Sequence, residues 1–190
     1  MLGMTDALDL EHRLALPDRL RVLLDALPRD GWESHPNFDN LVRFWLQRHM
    51  MFRDLMERLR SGSEAFLDGR ADPARHARET GRYAGFLLNE LHGHHHVEDA
   101  HYFPALIGLD PRLEDGFAIL DRDHQALDGH IHALAETTSA FLSAFGGAEE
   151  RAAAGKLHQA LGRFEGFLDR HLTDEEELVV PVILRHAPRL

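Results

Sequence analysis

A chain of 190 residues is long enough to bury one sizeable core, and 44% hydrophobic with 28% charged residues is the balance of an ordered globular protein. Thirty-two acidic against 21 basic side chains leave a formal charge of -11, which repels nucleic acid and anionic membrane surfaces. With no cysteine, disulfides, thiolate catalysis, Cys-ligated zinc and iron–sulfur clusters are excluded, so any metal is held by nitrogen and oxygen. The first ten residues lack a basic end and a long apolar run, and no 18 apolar residues run together, so a cytoplasmic protein with no nucleic-acid or membrane partner is expected.

Taken in order, the elements read as helices, because alternating strand patterns are nearly absent. Leu16, Leu20, Leu23, Leu24 and Leu27 form the stripe of a short amphipathic helix over 17–27, broken by Pro28 to Pro36. A second helix is predicted from Asp39 to Arg60, stopping at Ser61 and Gly62. Asp72–Pro73 and Asp110–Pro111 each pair a capping aspartate with a proline suited to the first helical position, and so predict helices over 73–103 and 111–145. Gly146–Gly147 separates these from a last helix over 149–186. The expected architecture is all-α, an up-and-down four-helix bundle (39–190) carrying a short N-terminal helical extension (1–38).

The abnormal number is 15 histidines. His94-x-x-x-Glu98 is followed by Pro104, and His171-x-x-x-Glu175 by Pro181, each proline ten residues after its histidine. Leu87 and Leu91 precede His94 at the spacings at which Phe164 and Leu168 precede His171, so an apolar seam runs into each motif. At about 100° per residue, positions i and i+4 lie roughly 40° apart, which turns each His and Glu toward the core. The other two long helices each add one histidine on an apolar stripe: His49 before Phe52, Met56 and Leu59, and His124 before Leu127, Ile131 and Leu134. The order is His, His-x-x-x-Glu, His, His-x-x-x-Glu, a helix pair used twice.

Four imidazoles and two carboxylates on inward faces are costly to bury without a counter-ion, which argues for metal. Nitrogen and oxygen donors without thiolate suit iron, manganese or zinc, and a bridging carboxylate pair favours two irons. The predicted ligands are His49, His94, Glu98, His124, His171 and Glu175, with Glu98 and Glu175 bridging. His101 makes a ferritin-type Glu98-x-x-His101 and is a candidate additional ligand. The register one residue along, His95 with Asp99, is the alternative to His94 with Glu98; in the favoured register His92, His95 and His96 point outward.

The segments FWLQRHMMFRDL, HHHVEDAHYFPAL, DRDHQALDGHI and HLTDEEELVVP, spread over residues 39–186, resemble the hemerythrin-like, HHE cation-binding family. The resemblance implies a non-haem di-iron four-helix bundle with two irons per chain, binding or reacting with O2, peroxide or nitric oxide. It leaves open whether that amounts to redox catalysis, and a homodimer is one assembly open to it. Oxygen-carrying members have a second histidine four residues after the one on the third bundle helix; here that place is Asp128, a second candidate additional ligand, so the five-histidine set is expected to be missing. The last-helix motif also differs, being His171-x-x-x-Glu175 rather than His-x-x-x-x-Asp. Three other readings stay open: a non-catalytic iron or gas sensor in which occupancy alters the packing of residues 1–38, a mononuclear three-histidine DinB-like site using His49, His124 and His171, and a metal-free structural bundle.

Overall fold

The computed structural model describes residues 8–188. Every regular element among them is helical: α1 (Val22–Ala26), α2 (Asn40–Leu67), α3 (Pro73–Val97), α4 (Phe103–Ile107), α5 (Glu114–Ala144) and α6 (Glu150–His186). The fold is all-α, compatible with the expected bundle. No helix among the described residues is long and apolar enough to cross a membrane.

The caps explain most boundaries. Asp39 Oδ1 accepts from the backbone N–H groups of Leu41 and Val42, Asp72 Oδ1 from Arg75 and Asp110 Oδ1 from Arg112, satisfying donors a helix start leaves unpaired. Three expectations need correction. The segment over 17–27 is a 3-10 turn, Asp18–Leu20, followed by the single helical turn-and-a-half of α1. α2 does not stop at Ser61 and Gly62 but continues to Leu67, because Ser63 and Phe66 are buried there; it ends where Gly69 takes φ +70° and Arg70 N–H reaches back to Ala65 O. The helix predicted over 73–103 is interrupted by a π-helical turn over Glu98–Tyr102, closed by a bond from Phe103 N–H to Glu98 O. Pro104 follows directly, and since a proline has no N–H to give to the carbonyl four residues back, the wider turn accommodates it.

The chain divides into two compact units. One comprises residues 1–49, 94–126 and 167–190; its apolar core includes Leu16, Leu20, Trp32, Val42, Phe103, Phe117, Leu120, Val179 and Ile183. The stripe of leucines in the N-terminal segment is thus buried in the same unit as the His-x-x-x-Glu motifs. The other unit comprises 50–93 and 127–166. Within it Phe66 stacks on His76 with ring centroids 4.9 Å apart, and Phe141 meets both rings at 5.9 and 5.3 Å. Burial lowers the pKa of His76, so this histidine packs as a neutral ring.

Phe66→Ala should therefore cost about 3–5 kcal/mol in urea unfolding. A loss under about 1 kcal/mol would mean the last two turns of α2 are not part of the core.

Candidate metal centre

All the residues that meet at the centre belong to the first unit. They form two groups. In the first, His49 from α2 and His94 from α3 bring their Nε2 atoms within 3.0 Å of each other. His94 Nε2 lies 3.0 Å from Glu98 Oε1, and His49 Nε2 lies 3.6 Å from Glu175 Oε1. In the second, His124 from α5 and His171 from α6 have Nε2 atoms 3.2 Å apart. There His124 Nε2 is 3.7 Å from Glu98 Oε2, and His171 Nε2 is 3.4 Å from Glu175 Oε2. Each glutamate thus turns one oxygen to each group. His95 completes the second group, its ring stacked on that of His124 at 4.1 Å and 14°.

Burial makes this arrangement expensive without positive charge. His49, His171, Glu98 and Glu175 are 0% exposed. Both ring nitrogens of His95, both carboxylate oxygens of Glu98 and Oε2 of Glu175 are buried without a hydrogen-bond partner. Burial, together with the facing Glu175 carboxylate, pushes the Glu98 pKa well above the usual range. For Glu175 burial acts in the same direction, but His49, His171 and His94 outweigh it and hold the group well below the usual range. Burial pulls His94 down to about 3 and His95 well below the ordinary imidazole value. His171 is pushed up to about 9: burial opposes this, and hydrogen bonds to Asp123 and Glu175 overcome it. Two carboxylates sharing a buried site resist joint ionisation unless cations lie between them. Imidazole nitrogens and carboxylate oxygens converging on two points are donors that fit metal ions, and all atoms within each group lie within 4.8 Å of one another.

The far nitrogens of three histidines are held by carboxylates. His49 Nδ1 lies 3.0 Å from Glu176 Oε1, His124 Nδ1 2.7 Å from Asp99 Oδ1 and His171 Nδ1 3.4 Å from Asp123 Oδ2. A carboxylate on Nδ1 fixes the tautomer and leaves Nε2 free to donate to a metal. Trp45 closes the first group from the side, its indole N–H 2.7 Å from Glu175 Oε1 and 3.1 Å from His49 Nε2.

The structure brings together His49, His94, Glu98, His124, His171 and Glu175. It does not bring His101 or Asp128 to them. His101 is exposed: its inward placement assumed an unbroken α-helix, and the π turn advances the chain by a smaller angle per residue, carrying it off the face of Glu98. Asp128 lies on the surface, 62% exposed and 3.8 Å from His92 Nδ1. The outward placement of His95 is also corrected, since it is 3% exposed while His92 and His96 are on the surface. A choice between His94 and His95 is unnecessary. They precede Glu98 by four and three residues, about 40° to one side of it and about 60° to the other, so they straddle the glutamate and serve different groups. Five histidines therefore converge, the fifth coming from α3 rather than from position 128. That signal was present in the spacing, and Asp99 was marked by the same alternative register, though as a partner of His95 rather than of His124; Trp45, Asp123 and Glu176 had no motif to mark them.

A helical chain enclosing a buried cluster of imidazoles and carboxylates belongs to the class of proteins built around a bound cation. The model of the hemerythrin HHE cation binding domain matches residues 40–183, and the chain belongs to this family. No curated protein and no solved structure gave a match.

His95→Ala should lower metal content per chain as much as His94→Ala or His171→Ala does, while His96→Ala should leave it unchanged. Elemental analysis of the four purified variants checks this, and full loading of His95→Ala would remove that residue from the centre.

Proposed function

We propose that the protein is a non-haem di-iron protein that binds or reacts with O2, peroxide or nitric oxide. The observation that carries this reading is the pair of glutamates, each with one oxygen toward each histidine group. One group would offer His49, His94 and an oxygen from each glutamate; the other would offer His95, His124, His171 and the remaining two oxygens. When bound, iron supplies reversible redox chemistry and an open coordination position for a small ligand.

The chain's own residues divide the work unequally. The group of His49 and His94 would hold a metal with four protein donors against five for the other, which would leave more room for an external ligand there. Trp45 presents its indole N–H at that same group, where it can donate to a bound anion. Glu176, Asp99 and Asp123 orient the rings of His49, His124 and His171. Phe103, stacked 5.4 Å from His124 and backed by Phe117 at 5.5 Å, covers the second group's side with apolar surface. If turnover occurs, the chemistry that iron would supply is redox, such as peroxide disproportionation. The cluster of five histidines argues against the mononuclear reading, which leaves both glutamates idle.

Protein produced with added iron should hold two irons per chain and show visible charge-transfer absorption that changes on exposure to air and then peroxide. One metal per chain would restore the mononuclear reading, and zinc alone would overturn iron. Because His171 is protonated below about pH 9, metal must displace its proton. Uptake in a chelator competition should therefore be weaker at about pH 6 than at about pH 8; equal affinity at both would show that binding displaces no proton from His171.

A further inference from the structure

The matched family residues begin at position 40, yet two arginines from the preceding segment reach the carboxylates behind the centre. Arg13 has a side chain only 1% exposed. Its guanidinium donates to both oxygens of Asp123, to Asp174 Oδ2 at 2.8 Å and to the carbonyl of Leu8 at 2.6 Å. Asp123 is the residue behind His171 Nδ1. Arg29 Nη1 donates to Glu176 Oε2 at 2.6 Å, and Glu176 is the residue behind His49 Nδ1. One arginine thus backs a histidine of each group, by the same relay of guanidinium, carboxylate and imidazole.

The segment is well placed to do this. Trp32 is buried and holds Arg29 over its ring at 4.7 Å. Leu14 O accepts from Arg170, whose guanidinium also grips Asp174, and Asn37 Nδ2 donates to Leu184 O. Without Arg13 the buried Asp123 and Asp174 would lose a shared cation, and Asp123 would be free to turn from His171.

We propose that residues 8–38 are a working part of the metal centre, with Arg13 and Arg29 as positioning residues, so that docking of this segment and metal occupancy strengthen each other. This rests on the reading of the centre as a two-metal site. The coupling is reciprocal by necessity: whatever factor the docked segment adds to metal affinity, bound metal adds to docking.

The test uses cobalt(II), whose visible absorption reports the geometry of its ligands, on the full chain and on Arg13→Met, Arg29→Met, Arg29→Lys and Arg19→Met. Arg29 is 47% exposed at its side chain, so its variants should fold even if Arg13→Met does not. Arg19 pairs with the exposed Asp115, away from the centre's carboxylates, and serves as the control from the same segment. Arg29→Met should weaken cobalt binding about 10–100-fold and alter the absorption, with unchanged helix content by circular dichroism. Arg29→Lys should recover part of the affinity, and Arg19→Met should match the parent. Chymotrypsin should cut at Trp32 and Phe38 more slowly once cobalt is bound, and this protection should shrink in Arg29→Met. If the parent binds two cobalt ions and Arg29→Met binds them with equal affinity and spectrum, or if cobalt leaves cleavage unchanged, the coupling is overturned while the centre stands. A parent chain that takes up no cobalt overturns both.

Discussion

Two glutamates facing each other in a dry interior set the terms for everything around them. Glu98 and Glu175 have no exposure, and water cannot screen the repulsion between their carboxylates. The surrounding chemistry alternates in sign outward from that pair: imidazole nitrogens around the carboxylates, then Asp99, Asp123 and Glu176 behind the imidazoles, then Arg13 and Arg29 behind the last two. Each layer makes the next affordable to bury. An isolated member of the series would be a buried unpaired charge, which is why the residues must be read as one assembly rather than as separate ligands.

How much of this could be read from the chain alone depended on the range of the interaction. Caps and apolar stripes are local, so the starts of the long helices at Asp39, Asp72 and Asp110 were legible to within a few residues. The repeated His-x-x-x-Glu was legible because a helix converts a spacing of four into a shared face. The end of α2 was not, since Gly62 looked like a stop and only the burial of Phe66 against His76 and Phe141 carries the helix past it. Arg13 could not be found at all. Its partners Asp123 and Asp174 lie 110 and 161 residues away, and nothing in a pattern of spacing records such a pairing.

The π turn was hidden for a different reason. Its register change concerns one residue's worth of rotation, and the evidence for it in the sequence is a single proline. Pro104 removes a backbone donor and obstructs the preceding carbonyl; Phe103 N–H instead bonds to Glu98 O, five residues back. The turn begins at the glutamate of the centre. It keeps Glu98 inward, lets Asp99 reach His124 and brings Tyr102 beside Trp45 with ring centroids 5.1 Å apart, while excluding His101. A departure from ideal helix geometry is thereby placed where the chain must aim several consecutive side chains at different targets.

The unequal division of donors traces to one position. The two halves of the chain share the spacing of their motifs, His94 with His171, Glu98 with Glu175 and Pro104 with Pro181, but His95 corresponds to Leu172. Leu172 is fully buried, so the second motif spends on apolar packing the position that the first spends on a third imidazole. A strictly doubled pattern with leucine at both places would give two equivalent groups of two histidines. With histidine at one of them, the two groups differ in donor number, five side chains meeting at one and four at the other when the shared glutamates are counted at both.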